Sequence, residues 1–334
     1  MNLTYKNEKK LFKILFVISI ISWLLLISLT FGLVLLYAGI VLAIALVAHS
    51  GFISYIKGNG IKVSDQQSPE LYQTFKDCCE KLEIQSIPEL YIINSDGILN
   101  ALATRFLKRH YVIIYGSIVD ALSDNPEAMR FYLGHELGHI KQKHLSLRRI
   151  VWPAIILPII GPAYRRAQEY SCDLHGLYCC NTLEDASFAL NVIAAGPTAS
   201  KTVNTTAFGN QSKSTDGFWL SLYELVGHYP WLCKRIQHIN DVHNGEQTIF
   251  PKRHKLAKVI AAFIPNFGTG GQINFAVIPV ILLILLTPLF FISKVIISKY
   301  EASRAQYEFE YQERRNQYMN NSIYQDSINE DVNY

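Results

Sequence analysis

Residues 125–144 read Asn125-Pro126-Glu127-Ala128-Met129-Arg130-Phe131-Tyr132-Leu133-Gly134-His135-Glu136-Leu137-Gly138-His139-Ile140-Lys141-Gln142-Lys143-His144. Asn125 followed by Pro126 is a helix start. The Asn side chain can accept a first-turn N–H, and proline already holds the φ of a first helical position, where its missing N–H costs nothing. The stretch predicts a helix from Pro126 to about His144. His135 and His139 then leave one face of that helix a single turn apart, so both rings can meet one ion. Glu136 stands beside them but turned off that line. Gly134 and Gly138 leave room for another backbone to approach.

Two imidazoles with an intervening carboxylate at His-Glu-x-x-His spacing form the zincin arrangement. In it the histidines hold Zn2+ and the glutamate is the general base toward a metal-activated water. A catalytic zinc takes three protein ligands and keeps one position open. The third ligand expected here is Glu169, in Arg165-Arg166-Ala167-Gln168-Glu169-Tyr170-Ser171-Cys172-Asp173. That segment reads as a helix, which puts Asp173 one turn beyond Glu169 on the same face. Asp173 suits a hydrogen bond to a ligating histidine, setting its tautomer. His144 and His175 are rival donors, but their spacings turn both off the metal face, and His144 is expected in solvent.

Outward from this centre the composition is uneven. Half of the 334 residues are hydrophobic, and they crowd toward the two ends. Ile14 to Val47 carries no charge and exceeds the ~20 residues a membrane-crossing helix needs. A helical hairpin over about 14–49, turning near Thr30-Phe31-Gly32, is expected within an N-terminal anchor of residues 1–57; one tilted helix is the alternative. Lys9, Lys10 and Lys13 before it and Lys57 and Lys62 after it favour both ends on the cytoplasmic side of a plasma or inner membrane. Phe275 to Ser293 predicts a C-terminal transmembrane helix within 266–297, followed by a polar tail, 298–334, part helical and part disordered. The run 150–163 is short and holds Pro153, Pro158 and Pro162, so it reads as interfacial, re-entrant or buried.

Between the apolar ends, residues 58–265 read as a globular domain. A helix is expected over 68–82, strands over 89–93 and 110–115, a helix over 164–181 and further helices after Leu183. The fold class is therefore α+β: a mainly helical zincin-type domain with a small β-sheet, plus transmembrane helices. The net charge of +4 is scattered, and its lysines and arginines lie beside apolar stretches. That suits a lipid bilayer and offers no nucleic-acid surface. The six cysteines form no CxxC pair; they predict buried free thiols in a reducing compartment rather than a zinc–thiolate site.

His135-Glu136-Leu137-Gly138-His139 followed by an Arg-x-x-Glu-x-x-x-Asp helix resembles peptidase family M48, which includes the HtpX heat-shock proteases and the CAAX-prenyl proteases. The resemblance implies a gluzincin endopeptidase with one Zn2+ per chain on His135, His139 and Glu169, and Glu136 as base. Leu99-Asn100-Ala101 resembles the family's Asn-Ala edge-strand motif, which implies that Asn100 contacts substrate. His228-Tyr229-Pro230 with Arg235-Ile236 resembles its His-Pro…Arg-Ile segment, implying that His228 stabilises the tetrahedral intermediate; Tyr229 is a departure from that pattern. Arg235 and Arg166 read as structural. The membrane plan departs from both named branches, since one lacks a C-terminal span and the other needs many more helices. The implied partners are protein or peptide substrates near the membrane, taken in membrane-protein quality control, and no oligomeric state is implied. The competing reading is a catalytically silent zinc-binding scaffold, against which the intact Glu136 argues.

Overall fold

The structure is a computed structural model that describes residues 2–94, 101–265, 294–308, 312, 314 and 315. Asn100, residues 266–293 of the expected C-terminal span, and most of the tail beyond 308 lie outside the described residues. Contacts divide the chain into a unit of residues 1–273 and a unit of residues 274–334. In the second unit, residues 294–308 are helical.

The N-terminal apolar run folds as α1 (Glu8–Leu29) and α2 (Leu33–Asn59). The chain reverses between them through Phe31 and Gly32, whose φ values are 48° and 84°. Glycine takes that conformation without a Cβ clash. A hairpin, not one tilted helix, is therefore the outcome. Both helices are long and apolar enough to cross a membrane, and residues such as Leu24, Leu29 and Val47 face outward. The end of α2 turns inward, where Ile53 and Ile56 pack on Tyr91, Ile93, Tyr111 and Ile113.

Four strands follow: β1 (Ile61–Lys62), β2 (Glu89–Ile93), β3 (Ala101–Phe106) and β4 (Arg109–Tyr115). Their order is β1-β2-β4-β3. β2 and β4 are parallel and the other pairings antiparallel, with Ala103 opposite Val112. Among the described residues, β3 is thus an edge strand. The helix between β1 and β2, α3 (Pro69–Lys81), turns Phe75, Cys78 and Cys79 into the core, one stripe of a 3.6-residue period. After β4 comes the short α4 (Gly116–Ala121).

The side-chain oxygen of Asn125 accepts the Ala128 N–H at 3.3 Å, capping a 3-10 turn over Pro126–Ala128 that leads into α5 (Met129–Lys141). The expected helix to His144 is in fact two. Lys143 adopts φ 58°, and α6 (His144–Ile150) leaves in a new direction. The apolar run 150–163 forms no helix long and apolar enough to span. It forms α7 (Trp152–Ile155), turns, and enters α8 (Ile160–Cys179). Val151, Ala154, Ile155 and Tyr164 pack there around Leu15 of α1. The remaining helices are α9 (Leu183–Ala199), α10 (Thr205–Asn210), α11 (Phe218–Val226), α12 (Leu232–His243) and α13 (Lys255–Ala261).

The main core lies between one face of the sheet and α3, α5 and α9, with Val112, Ile114, Phe131, Leu133, Leu137 and Leu190 in it. Each such side chain contributes about 1.5–3 kcal/mol by leaving water. α5 and α8 touch backbone to backbone. A Cβ on Gly134 would lie 2.8 Å from both Cys179 Cβ and the His175 carbonyl, and one on Gly176 would lie 2.7 Å from the Phe131 carbonyl. This contact brings the two motif helices together. All six cysteines are buried free thiols.

Candidate metal centre

The α5–α8 contact sets three donors around one point. His135 Nε2 lies 3.4 Å from Glu169 Oε2, and His139 Nε2 lies 3.7 Å from Glu169 Oε1. Ligands about 2.0–2.2 Å from one tetrahedral ion sit roughly 3.3–3.6 Å from one another, so the spacing fits zinc. Charge fits as well. Burial alone would lower His135, but hydrogen bonds and charge from Asp173 and Glu169 outweigh it and hold the ring up to about 10. Burial likewise opposes ionisation of Glu169, yet His135, His139 and Arg235 bring it down to about 2. Burial, with His144, His135 and Arg148 nearby, lowers His139 to about 3. Two imidazoles facing one carboxylate make a donor set suited to a cation.

Each imidazole has a partner on its far side. His135 Nδ1 lies 3.0 Å from Asp173 Oδ1. Asp173 is itself held by Arg235, Nε to Oδ2 at 2.8 Å, so Arg235 does more than fill space. His139 Nδ1 lies 3.0 Å from His144 Nδ1. This corrects the expectation of a solvent-facing His144, which is 3% exposed. The cause is the left-handed turn at Lys143, which ends the run of α5 and places His144 off the helical path that its spacing predicts. His175 bonds its ring to the Ser171 carbonyl at 2.7 Å and faces away from the three donors.

Cys172, which the cysteine spacing does not single out, also faces this centre. Donor atoms of His135, His139 and Cys172 lie within 4.8 Å of one another. The Cys172 thiol is one turn from Glu169 along α8. Burial, followed by the charges of Glu169, Glu8, Glu136 and Asp173, pushes its pKa far up.

Glu136 is buried beside the donors. Burial raises its carboxyl to about 7, reinforced by Glu169 and opposed by His135 and by a hydrogen bond from the backbone of Ala103. That bond ties the carboxylate to edge strand β3. The residues around it enclose a cleft of about 630 Å³, reached by Ala101, Ala103, Glu136, His228, Tyr229 and Arg235 among others. The Arg166 guanidinium donates to the carbonyls of Glu224 and, at 2.6 Å, Gly227, pinning the loop that carries His228. Tyr229 enters the cleft too, its hydroxyl raised to about 12 by the Glu169 charge and by burial. His228 is buried at the cleft wall. The sequence motifs thus meet in one place, except Asn100, which lies outside the described residues just ahead of β3.

The α+β domain thus packs its His-Glu-x-x-His helix on the helix that carries Glu169 and Asp173. The family model of Peptidase family M48 matches residues 65–162. The match runs from ahead of α3 to the first turn of α8, so it includes His135, Glu136 and His139 and stops before Glu169. No curated protein matches the chain, and no solved structure does. M48 peptidases are zinc-dependent.

Proposed function

We propose that the protein is a membrane-anchored zinc endopeptidase that hydrolyses peptide bonds of substrates near the bilayer. The observation that carries this reading is the convergence of His135 Nε2 and His139 Nε2 on the two oxygens of Glu169, at 3.4 and 3.7 Å, with a buried Glu136 alongside. Zinc on these donors would supply Lewis acidity toward the scissile carbonyl and the attacking water. Glu136 takes the proton from that water and returns it to the leaving amine. Substrate lies as an extended strand against the open edge of β3, with Asn100 as a contact. His228 donates a hydrogen bond toward the negative charge that develops on the carbonyl oxygen. Lys9, Lys10, Lys13 and Lys57 favour the cytoplasmic face of a plasma or inner membrane, where membrane-protein quality control is the fitting role.

A second reading has one observation in its favour. If Cys172 joined His135, His139 and Glu169, the ion would have four protein ligands, the closed set of a structural site. The protein would then be a silent zinc-binding scaffold. One experiment separates the two. The chain is purified in detergent, its bound zinc measured, and casein cleavage compared with that of Glu136→Gln and Glu169→Ala. The endopeptidase reading expects Glu136→Gln to keep zinc and lose at least 10²-fold in rate, and Glu169→Ala to lose both. Equal cleavage by Glu136→Gln would remove the mechanism.

A further inference from the structure

Glu8 opens the first apolar helix, yet its side chain is 7% exposed and engaged at both oxygens. Oε1 faces His144 Nε2 at 2.9 Å, and Oε2 accepts from the Ser171 hydroxyl. Ser171 Oγ in turn accepts the Tyr5 N–H at 2.9 Å, and the Tyr5 ring stacks on Tyr170. The other nitrogen of His144 faces His139 Nδ1 at 3.0 Å, with the Cys172 sulfur 3.6 Å from it. Side chains from α1, α6 and α5 thus form one line that ends at the metal donors.

The proton inventory leaves one arrangement that suits a ligating His139. A carboxylate only accepts, so His144 Nε2 carries the hydrogen, and a neutral ring then has its lone pair at Nδ1. That lone pair accepts the His139 Nδ1–H, and the Cys172 thiol can share it. His139 Nε2 keeps its own lone pair, pointed at the space it shares with Glu169. His135 reaches the same tautomer directly from Asp173. One imidazole is therefore oriented by an adjacent carboxylate, and the other by a carboxylate one ring further away.

We propose that Glu8 is a positioning residue of the metal centre: through His144 it fixes the tautomer and ring orientation of His139, which makes the anchor helix α1 a working part of the site. The inference rests on reading His139 as a zinc ligand. It differs from a docking role, in which Glu8 merely fastens the N-terminal segment to α8, because docking also runs through Ser171 whereas the relay does not.

The test uses the full chain in detergent. Zinc affinity is measured by chelator competition, and the histidine ring nitrogens are read by 1H–15N spectra of 15N-histidine-labelled protein. Glu8→Ala and His144→Phe are each expected to weaken zinc binding by about 10–100-fold, the usual effect of removing an outer partner of a ligand. Glu8→Ala also loses the His139 Nδ1–H signal. Glu8→Gln, which still offers His144 an acceptor, loses less than Glu8→Ala. Ser171→Ala, which cuts the docking contact and spares the relay, keeps native affinity. Should Glu8→Ala fail to fold, His144→Phe against Ser171→Ala decides. Native affinity in His144→Phe, or a loss in Ser171→Ala as large as that in Glu8→Ala, overturns the relay alone. A native chain that binds no zinc overturns the relay and the endopeptidase reading together.

Discussion

Arg235 grips both oxygens of Asp173, with Nε on Oδ2 at 2.8 Å and Nη2 on Oδ1 at 2.5 Å, while Oδ1 also faces His135 Nδ1 at 3.0 Å. Arg235 sits on α12 and Asp173 on α8, so a third helix braces the imidazole on α5. A two-pronged guanidinium holds the carboxylate plane as well as its charge, and that plane sets the ring angle of His135.

Asp173→Asn is therefore expected to weaken zinc binding by about 10–100-fold. Its amide can turn an N–H toward His135 Nδ1 and favour the wrong tautomer. Arg235→Lys keeps a positive charge but not the fork, and should fall between native protein and Asp173→Asn. Chelator competition on the purified proteins measures all three. An Arg235→Lys protein as weak as Asp173→Asn would mean that the fork, not the charge, carries the effect. Native affinity in Asp173→Asn would show that His135 needs no carboxylate.

Much of this centre could be read locally. The Asn125–Pro126 start, the two histidines one turn apart and the Glu169–Asp173 pair each depend on a few neighbouring residues, and each lies where helical spacing puts it. β2 and β4 are apolar runs with no competing period. β3 was reached only through the resemblance at Leu99-Asn100-Ala101, because Ala101-Leu102-Ala103-Thr104-Arg105-Phe106 is half-buried along its length and lacks clean alternation. The break at Lys143 has neither glycine nor proline to announce it, and with it went the position of His144. Glu8 and Arg235 act across 136 and 62 residues of chain. Such pairings exist only once the helices pack, so no local pattern records them.

Cys172 decides whether the metal set is open or closed. The endopeptidase reading expects Cys172→Ser to retain zinc and to cleave at close to the native rate, since the two histidines and Glu169 suffice. A closed four-ligand site would instead lose affinity steeply, because a thiolate would be lost from the coordination shell. Substituting cobalt for zinc gives a second readout: a sulfur ligand adds intense near-ultraviolet charge-transfer absorption, and its absence in native protein would agree with the open set.

The glycine seam between α5 and α8 makes the donor geometry sensitive to one methyl group. Gly134→Ala would drive its Cβ to 2.8 Å from Cys179 Cβ and the His175 carbonyl, and neither is the end of a flexible chain. The helices must move apart, at a cost of about 1–3 kcal/mol for overpacking. Zinc affinity should fall with stability, because the same separation spaces His135 and His139 from Glu169. Gly58→Ala is the control: nothing lies within 4 Å of its Cβ, and alanine favours a helix. Thermal midpoints in detergent should drop for Gly134→Ala and hold or rise for Gly58→Ala. Equal midpoints for both would mean that the seam has slack.

Glu224 and Lys234 form an ion pair at 2.7 Å, with each side chain 1% exposed, and Arg253 Nε adds a contact to the same carboxylate at 3.2 Å. Glu224→Gln leaves the Lys234 ammonium buried without its counter-charge, an expected loss of about 3–5 kcal/mol. Burial opposes ionisation of Glu224, but Arg253 and Lys234 outweigh it and hold the carboxyl below its ordinary value. Its folded pKa is thus below its unfolded one. The stability it contributes is fully present above the unfolded value, near 4.3 for a free glutamate, and is lost as pH falls through the lower folded value. Lys234 responds in the opposite sense. Burial lowers its pKa despite the charge of Glu224, and removing that charge lowers it further. The Gln variant should therefore regain stability as pH rises through the range where the buried ammonium gives up its proton. Thermal midpoints across acid and alkaline buffers test both limbs: the native protein should lose ground in acid that the variant has already lost, and the variant should gain more in base than the native protein, because its Lys234 is depressed further.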